Sequence, residues 1–223
     1  MKKAIILLMT IVTSVFIGCD TESTGNVSRV TVFPELTING DATIFHVAGT
    51  PFNDPGANAT VGGSPIEFST NSNLDTNTPG IYTISYSAFN EDGFEAAAVR
   101  TVYVYETGDD IAGIYNGIRD NRGFGGLVLV STRNDGDYNI SDMLAGYYHQ
   151  GLGYGPAYSF PGVIAVTNGV VTHVQLGMGG FGPVSIQNGS ADTSGSSTVM
   201  KWFGQLDNYA PFGFDVTFTK ITD

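Results

Sequence analysis

Thr78-Pro79-Gly80-Ile81-Tyr82-Thr83-Ile84-Ser85-Tyr86-Ser87-Ala88 is the stretch on which the fold turns. After the Pro-Gly turn, the large apolar residues Tyr82, Ile84 and Tyr86 alternate with the small polar residues Thr83, Ser85 and Ser87. A period of two puts the first set on one face of an extended strand and the second set on the other, so the strand is half buried. The flanks share this texture. Upstream, Val30, Val32, Leu36, Ile38, Ile44 and Val47 mark short apolar pieces around Pro34 and the Asn39-Gly40-Asp41 turn. Downstream, Asn90-Glu91-Asp92-Gly93 turns the chain into another strand-like run over residues 96–105. No window in residues 29–106 shows the 3.6-residue periodicity of a helix, and the segment is predicted to be all-β.

Beyond a short linker, Thr107-Gly108-Asp109-Asp110-Ile111, strands are predicted over 111–118, 126–132, 137–141, 158–166, 170–176, 198–203 and 214–221. Thr167-Asn168-Gly169 joins two of them as a tight hairpin, because Asn and Gly tolerate positive φ. The last strand sets Phe214, Val216 and Phe218 against Asp215, Thr217 and Thr219, a core face and a wet face. Eight or so short strands in antiparallel order predict a barrel or a sandwich over residues 111–223. The fold class is therefore all-β, in two domains.

Three motifs of the first domain occur in order: Gly49-Thr50-Pro51-Phe52-Asn53-Asp54-Pro55-Gly56-Ala57, then residues 78–86, then Ala97-Ala98-Val99-Arg100-Thr101-Val102-Tyr103-Val104. Together they resemble a bacterial immunoglobulin-like repeat of surface proteins. The resemblance implies a β-sandwich over residues 29–106 that acts as a spacer or adhesion-like module. In it, Asp54-Pro55-Gly56 and Pro79-Gly80 are read as turn residues that lead into strands. Residues 111–223 are similar to the C-terminal domain of lipoproteins that carry such a repeat, through Gly113 and Tyr115, the Tyr138-Asn139-Ile140-Ser141-Asp142 segment, and Phe214, Val216, Phe218 and Lys220. That resemblance implies an accessory role beside outer-membrane glycan-uptake systems.

The N-terminus says where such a protein lives. Lys2 and Lys3 precede a nearly unbroken apolar run over residues 4–15, closed by Phe16-Ile17-Gly18-Cys19. This is the layout of a secretory signal peptide, and it is shorter than the ~20 residues a membrane-spanning helix needs. It resembles a lipoprotein signal with a lipobox. Gly18 and Cys19 match that pattern, while Phe16 and Ile17 are bulkier than usual. The resemblance implies removal of residues 1–18 and lipidation of Cys19, which anchors the chain to a membrane. The other reading is an ordinary signal cut nearby, with Cys19 incidental. A lone cysteine has no disulfide partner, which favours the lipid. Residues 19–28 are small and polar and read as a lipidated tether. Asp20 and Glu22 behind the cysteine suit cell-surface export in the outer membrane in one lineage and inner-membrane retention in another.

Composition bounds the partners. The formal charge is −12 and becomes −14 when Lys2 and Lys3 leave with the signal. No lysine stands between Lys3 and Lys201, so nothing here neutralises phosphates and nucleic acid is excluded as a partner. Charged residues are 13% against the usual ~25%, which with 30 glycines describes an extracellular β protein with wide, neutral loops.

Aromatic residues crowd the Gly-rich middle. Sugar rings stack their C–H faces on aromatics, so Tyr147, Tyr148, Tyr154 and Tyr158 are candidate ligand-binding residues, extended by Trp202 and Tyr209. The competing reading is packing, to which Trp202 is the most exposed because it lies in a strand-like run. His149 and His173 have no nucleophile signature around them, since no Gly-x-Ser-x-Gly elbow occurs. Asp137, Asp142, Asp207 and Asp215 are available carboxylates, but glycosidase chemistry needs two at a fixed separation that sequence does not reveal. Asn71-Ser72-Asn73-Leu74-Asp75-Thr76-Asn77 alternates oxygens as a calcium loop does, without the central Gly and closing Glu of an EF-hand. Gly177-Met178-Gly179-Gly180-Phe181-Gly182 and Gly123-Phe124-Gly125-Gly126 precede no helical pattern, so they are not phosphate loops. No cofactor or metal is expected, and the chain is expected not to be an enzyme. The expected function is glycan binding by the second domain. A structural or adhesion protein is the second reading and a glycoside hydrolase the third.

Overall fold

The computed structural model describes residues 30–222; the signal peptide, Cys19 and the 19–28 tether lie outside them. The first domain holds β1 (Pro34–Ile38), β2 (Thr43–Val47), β3 (Ala57–Val61), β4 (Ser64–Pro65), β5 (Ser69–Ser72), β6 (Gly80–Phe89) and β7 (Glu95–Tyr105). They form two sheets, β1-β3-β4 and β2-β7-β6-β5, in which β2 runs parallel to β7 and the other pairs are antiparallel. The alternation in residues 82–86 does what its period requires. Ile84 and Tyr86 are buried with Val102 and Val104, while Leu36 and Ile38 pack on them from the opposite sheet.

The core of this sandwich contains an ion. Arg100 is completely buried and its Nε lies 3.2 Å from Asp54 Oδ1. The Tyr86 hydroxyl donates to the Asp54 carboxylate at 2.7 Å and accepts from Arg100 Nε at 3.2 Å. The two Nη atoms donate to the carbonyls of Asp41, Asn39 and Gly56 at 2.7–3.0 Å. The three sequence motifs thus meet at one point. Asp54 does form a turn, accepting the Gly56 amide, but reading it as a turn residue alone missed its second role as counter-ion. A charge this deep is tolerated only when paired and fully hydrogen-bonded, and here it is.

The second domain comprises β8 (Gly113–Arg119), β9 (Phe124–Thr132), β10 (Tyr138–Ile140), β11 (Gly162–Thr167), β12 (Val170–Gln175), β13 (Gly177–Gly179), β14 (Gly182–Asp192), β15 (Val199–Leu206) and β16 (Gly213–Lys220). Around the wall the order is β12-β11-β10-β9-β8-β16-β15-β14. Val170↔Ser190 and Val171↔Gly189 return β14 to β12, closing an antiparallel barrel of eight strands. The barrel, not the sandwich, is the architecture here. The expected Asn168-Gly169 hairpin is present, with φ +50° and +78°. The sequence reading did not anticipate β14, the longest strand of the barrel. One half of it pairs with β13 and the other with β12. Between those halves His173 Nδ1 accepts the Ile186 amide at 3.2 Å, so a side chain stands in where two backbones part. Tyr115, Val128, Val130, Trp202, Val216 and Phe218 belong to the core.

The two domains touch along their sides. Tyr103 of β7 is buried against Ile114 and Leu129, which face outward from the barrel. Beside this contact lies a cavity of about 450 Å³, bounded by Thr83 and Thr101 on one side and Leu127, His149 and Pro156 on the other.

Candidate functional site

One end of the barrel is closed by a segment that runs from Ser141 to Gly151. Asp142 Oδ1 accepts the Leu144 amide at 2.8 Å, the Met143 amide donates to Phe160 O at 2.9 Å, and Ala145 O accepts from the Gly126 amide. The strands make room for it by omitting side chains. A Cβ on Gly117 or Gly125 would strike the Ala145 backbone, one on Gly126 the Gln150 side chain, and one on Gly204 the Leu144 side chain. Gly125 and Gly126, which open no phosphate loop, thus help to seat a plug. Gln150 fixes the far side, accepting the Leu127 amide and donating to the Leu127 carbonyl at 2.9 and 2.8 Å.

The plug ends in a short helical turn, Tyr147–Gly151, and a second turn, Pro156–Tyr158, follows it. This carries the tyrosines to the barrel rim, where the β13–β14 turn and the turn Asp207–Tyr209 meet them. The Gly180 amide donates to Ala157 O at 2.8 Å and holds the two loops together. The aromatic rings form one connected series. Tyr148 contacts Tyr154 (6.1 Å between ring centres) and Phe181 (4.9 Å), Tyr154 contacts Tyr158 (5.4 Å), Tyr158 contacts Phe181 (5.0 Å), and Phe181 contacts Tyr209 (6.2 Å). Arg119 lies over Tyr147 and Phe214 at 4.7 and 4.1 Å, a cation held on two aromatic faces.

The six candidate residues divide by depth. Tyr154 and Tyr209 are 53% and 56% exposed, and Tyr158 is half-buried. Tyr147 and Tyr148 are buried in the plug, beneath the exposed rings. Trp202 is buried too, stacks on Phe218 at 4.2 Å, and donates its indole N–H to Met143 O at 2.8 Å. It is a core residue and faces no ligand. That much was present in the alternation of Met200, Trp202 and Leu206 against Lys201, Phe203 and Gln205, which sets Trp202 on the inner face. Arg119 was missed, because only the folded barrel brings it over Tyr147 and Phe214.

Polar groups at the rim serve their own scaffold. Asp207 accepts from the Ser185 hydroxyl at 2.6 Å and from Gln205 Nε2 at 3.2 Å. Burial lowers the pKa of His149 below its ordinary value, which favours the neutral form of that ring. Among the described residues no group of three or more His, Cys, Asp or Glu side chains is placed to hold a metal ion. In residues 71–77, where oxygens alternate as in a calcium loop, Ser72, Asn73 and Asp75 accept from the amides of Leu74, Thr83 and Asn77. Among the described residues no helix is long and apolar enough to cross a membrane.

An immunoglobulin-like sandwich followed by an eight-stranded barrel defines a class of bacterial surface proteins, and comparison with known proteins makes this specific. Residues 36–104 match the family model "Bacterial surface protein, Ig-like domain". Residues 104–220 match a family model for a BT2262-like C-terminal domain. Among solved structures, the lipoprotein BT2262 from Bacteroides thetaiotaomicron is 31% identical, with a TM-score of 0.70 over 84% of this chain and all of that one. Among curated proteins none matches. The chain belongs to the family of BT2262-like surface lipoproteins.

Proposed function

We propose that this lipoprotein is a non-catalytic glycan-binding protein of the outer membrane, facing the cell exterior and held by a lipid on Cys19. The aromatic rim of the barrel takes the ligand and the immunoglobulin-like domain is the spacer. One observation carries the reading: Tyr154 and Tyr209 are exposed at one end of the barrel and are joined through Tyr158 and Phe181. Exposed aromatic faces over a rigid plug present stacking surface at little entropic cost, which suits the C–H faces of sugars. The hydrogen bonds of Asp207 to its own scaffold favour binding over hydrolysis. The Asp20 and Glu22 pair behind Cys19 supports export to the surface.

The test is a glycan array probed with the mature chain from Asp20. A bound polysaccharide should lose roughly fivefold in affinity on Tyr154→Ala or Tyr209→Ala, from stacking worth about 1 kcal/mol, and keep it on Tyr154→Phe. Binding to no polysaccharide sinks the glycan reading and leaves a protein partner for the same rim.

A further inference from the structure

The end of the sandwich where the described chain begins carries an apolar group that the fold leaves in solvent. Val30 is 84% exposed, Phe33 61% and Phe89 55%, and Val32 and Phe94 are exposed beside them. These residues are neighbours. The Phe33 and Phe94 rings meet edge to face at 4.9 Å, and Asn90 Nδ2 donates to Val32 O at 2.9 Å. Val30, Val32 and Phe89 also line one cavity of about 370 Å³. The Asn90 turn joins β6 to β7, so this pole lies at the opposite end of the sandwich from the linker to the barrel. Single exposed hydrophobes are ordinary, but five together at one pole mark a contact surface.

The length of chain before Val30 decides what covers it. Residues 20–29 are ten residues between Cys19 and the pole. Fully extended they span at most ~40 Å, and as a flexible coil roughly 20 Å. Asp20 to Ser28 contains a single apolar side chain, Val27, so the tether is too polar to cover the patch itself. A bilayer holding the lipid on Cys19 is therefore within reach of these side chains at all times.

We propose that Val30, Val32, Phe33, Phe89 and Phe94 seat in the interfacial layer of the bilayer as a second, non-covalent membrane contact. This rests on the reading of Cys19 as the anchor. The contact is apolar in origin. It therefore needs no anionic headgroup and forms on zwitterionic lipid. It fixes the sandwich upright on the membrane, a hold that a lipid on Cys19 does not give by itself.

The test supplies the anchor independently of Cys19. The mature chain from Asp20, with an N-terminal histidine tag, is held on phosphatidylcholine vesicles containing a nickel-chelating lipid. Without Cys19 the chain has no native cysteine, so Phe94→Cys takes a single environment-sensitive dye, as does Asn134→Cys on an exposed barrel loop. The dye at position 94 should shift to shorter wavelength and brighten on vesicles, while the dye at 134 stays unchanged. Adding Val30→Ser and Phe33→Ser, both at exposed positions, should remove most of that shift. Equal emission at position 94 on vesicles and in solution overturns the proposal. So does a shift that appears in solution as protein concentration rises, which makes the pole a contact between copies. The intact mass of the full-length protein from membranes tests the Cys19 reading separately: no acyl mass overturns the anchor, and the vesicle result still decides the pole.

Discussion

Asp142 lies buried within the plug with one carboxyl oxygen satisfied by the Leu144 amide and the other, Oδ2, without a partner among the described residues. Burial pushes its pKa up to about 7, against the opposing pull of nearby backbone amides. Its sign follows from linkage. Between the ordinary aspartate range and pH 7, the folded chain holds a proton there that the unfolded chain has released. Stability from this group is therefore greatest in acid and falls as pH rises through that window, by up to about 1.4 kcal/mol per pH unit. Asp142→Asn keeps the acceptor for Leu144 and does not titrate. Its stability relative to the parent should rise by roughly 2 kcal/mol between pH 5 and pH 7.5 in urea unfolding. A flat difference would mean that the carboxylate is ionised throughout. At this scale the sequence was only partly legible. Tyr86 was placed inside by its period of two, but the Asp54–Arg100 pair was not foreseen, because each charge sits in a separate motif and only folding joins them.

The plug shows why an element can be harder to read than a residue. Residues 141–151 have neither helical nor strand periodicity, so they read as a Gly-rich loop with aromatics. Their position follows from absences elsewhere, at Gly117, Gly125, Gly126 and Gly204, and a missing side chain signals nothing until its neighbour is known. Gly125→Ala tests the fit. Its methyl would occupy space held by the Gly117 and Ala145 carbonyls, both backbone atoms that cannot swing aside. The expected cost is about 2 kcal/mol or more in urea unfolding, with loss of rim binding in excess of the loss of fold. An unchanged midpoint would show that the plug sits loosely. β14 was missed for a related reason. Gly182, Pro183, Asn188 and Gly189 punctuate it like a loop, yet it closes the barrel through partners that sequence proximity does not reveal. β16, by contrast, was legible to within one residue at each end, because Phe214, Val216 and Phe218 alternate without interruption.

At the scale of the whole molecule, the sandwich and the barrel share an apolar contact through Tyr103, Ile114 and Leu129. Interfaces of this kind couple two domains when they are well packed. Leu129→Asp puts an unpaired charge into the contact, where partial burial costs a few kcal/mol. Calorimetry should then resolve two unfolding transitions in place of one; two transitions in the parent would show that the domains were never coupled. The buried Arg100 also sets an order of events in time. A surface lipoprotein is delivered through a membrane with its N-terminus leading. The carbonyls of Asn39 and Asp41 emerge about sixty residues before the guanidinium that takes them. Local turns cannot stand in for so distant a partner, and closing a loop of that length is slow. Until β7 has crossed, the first domain lacks the guanidinium on which its three motifs converge, so its core cannot be completed. Export must keep that whole stretch from collapsing or aggregating before its last strand arrives.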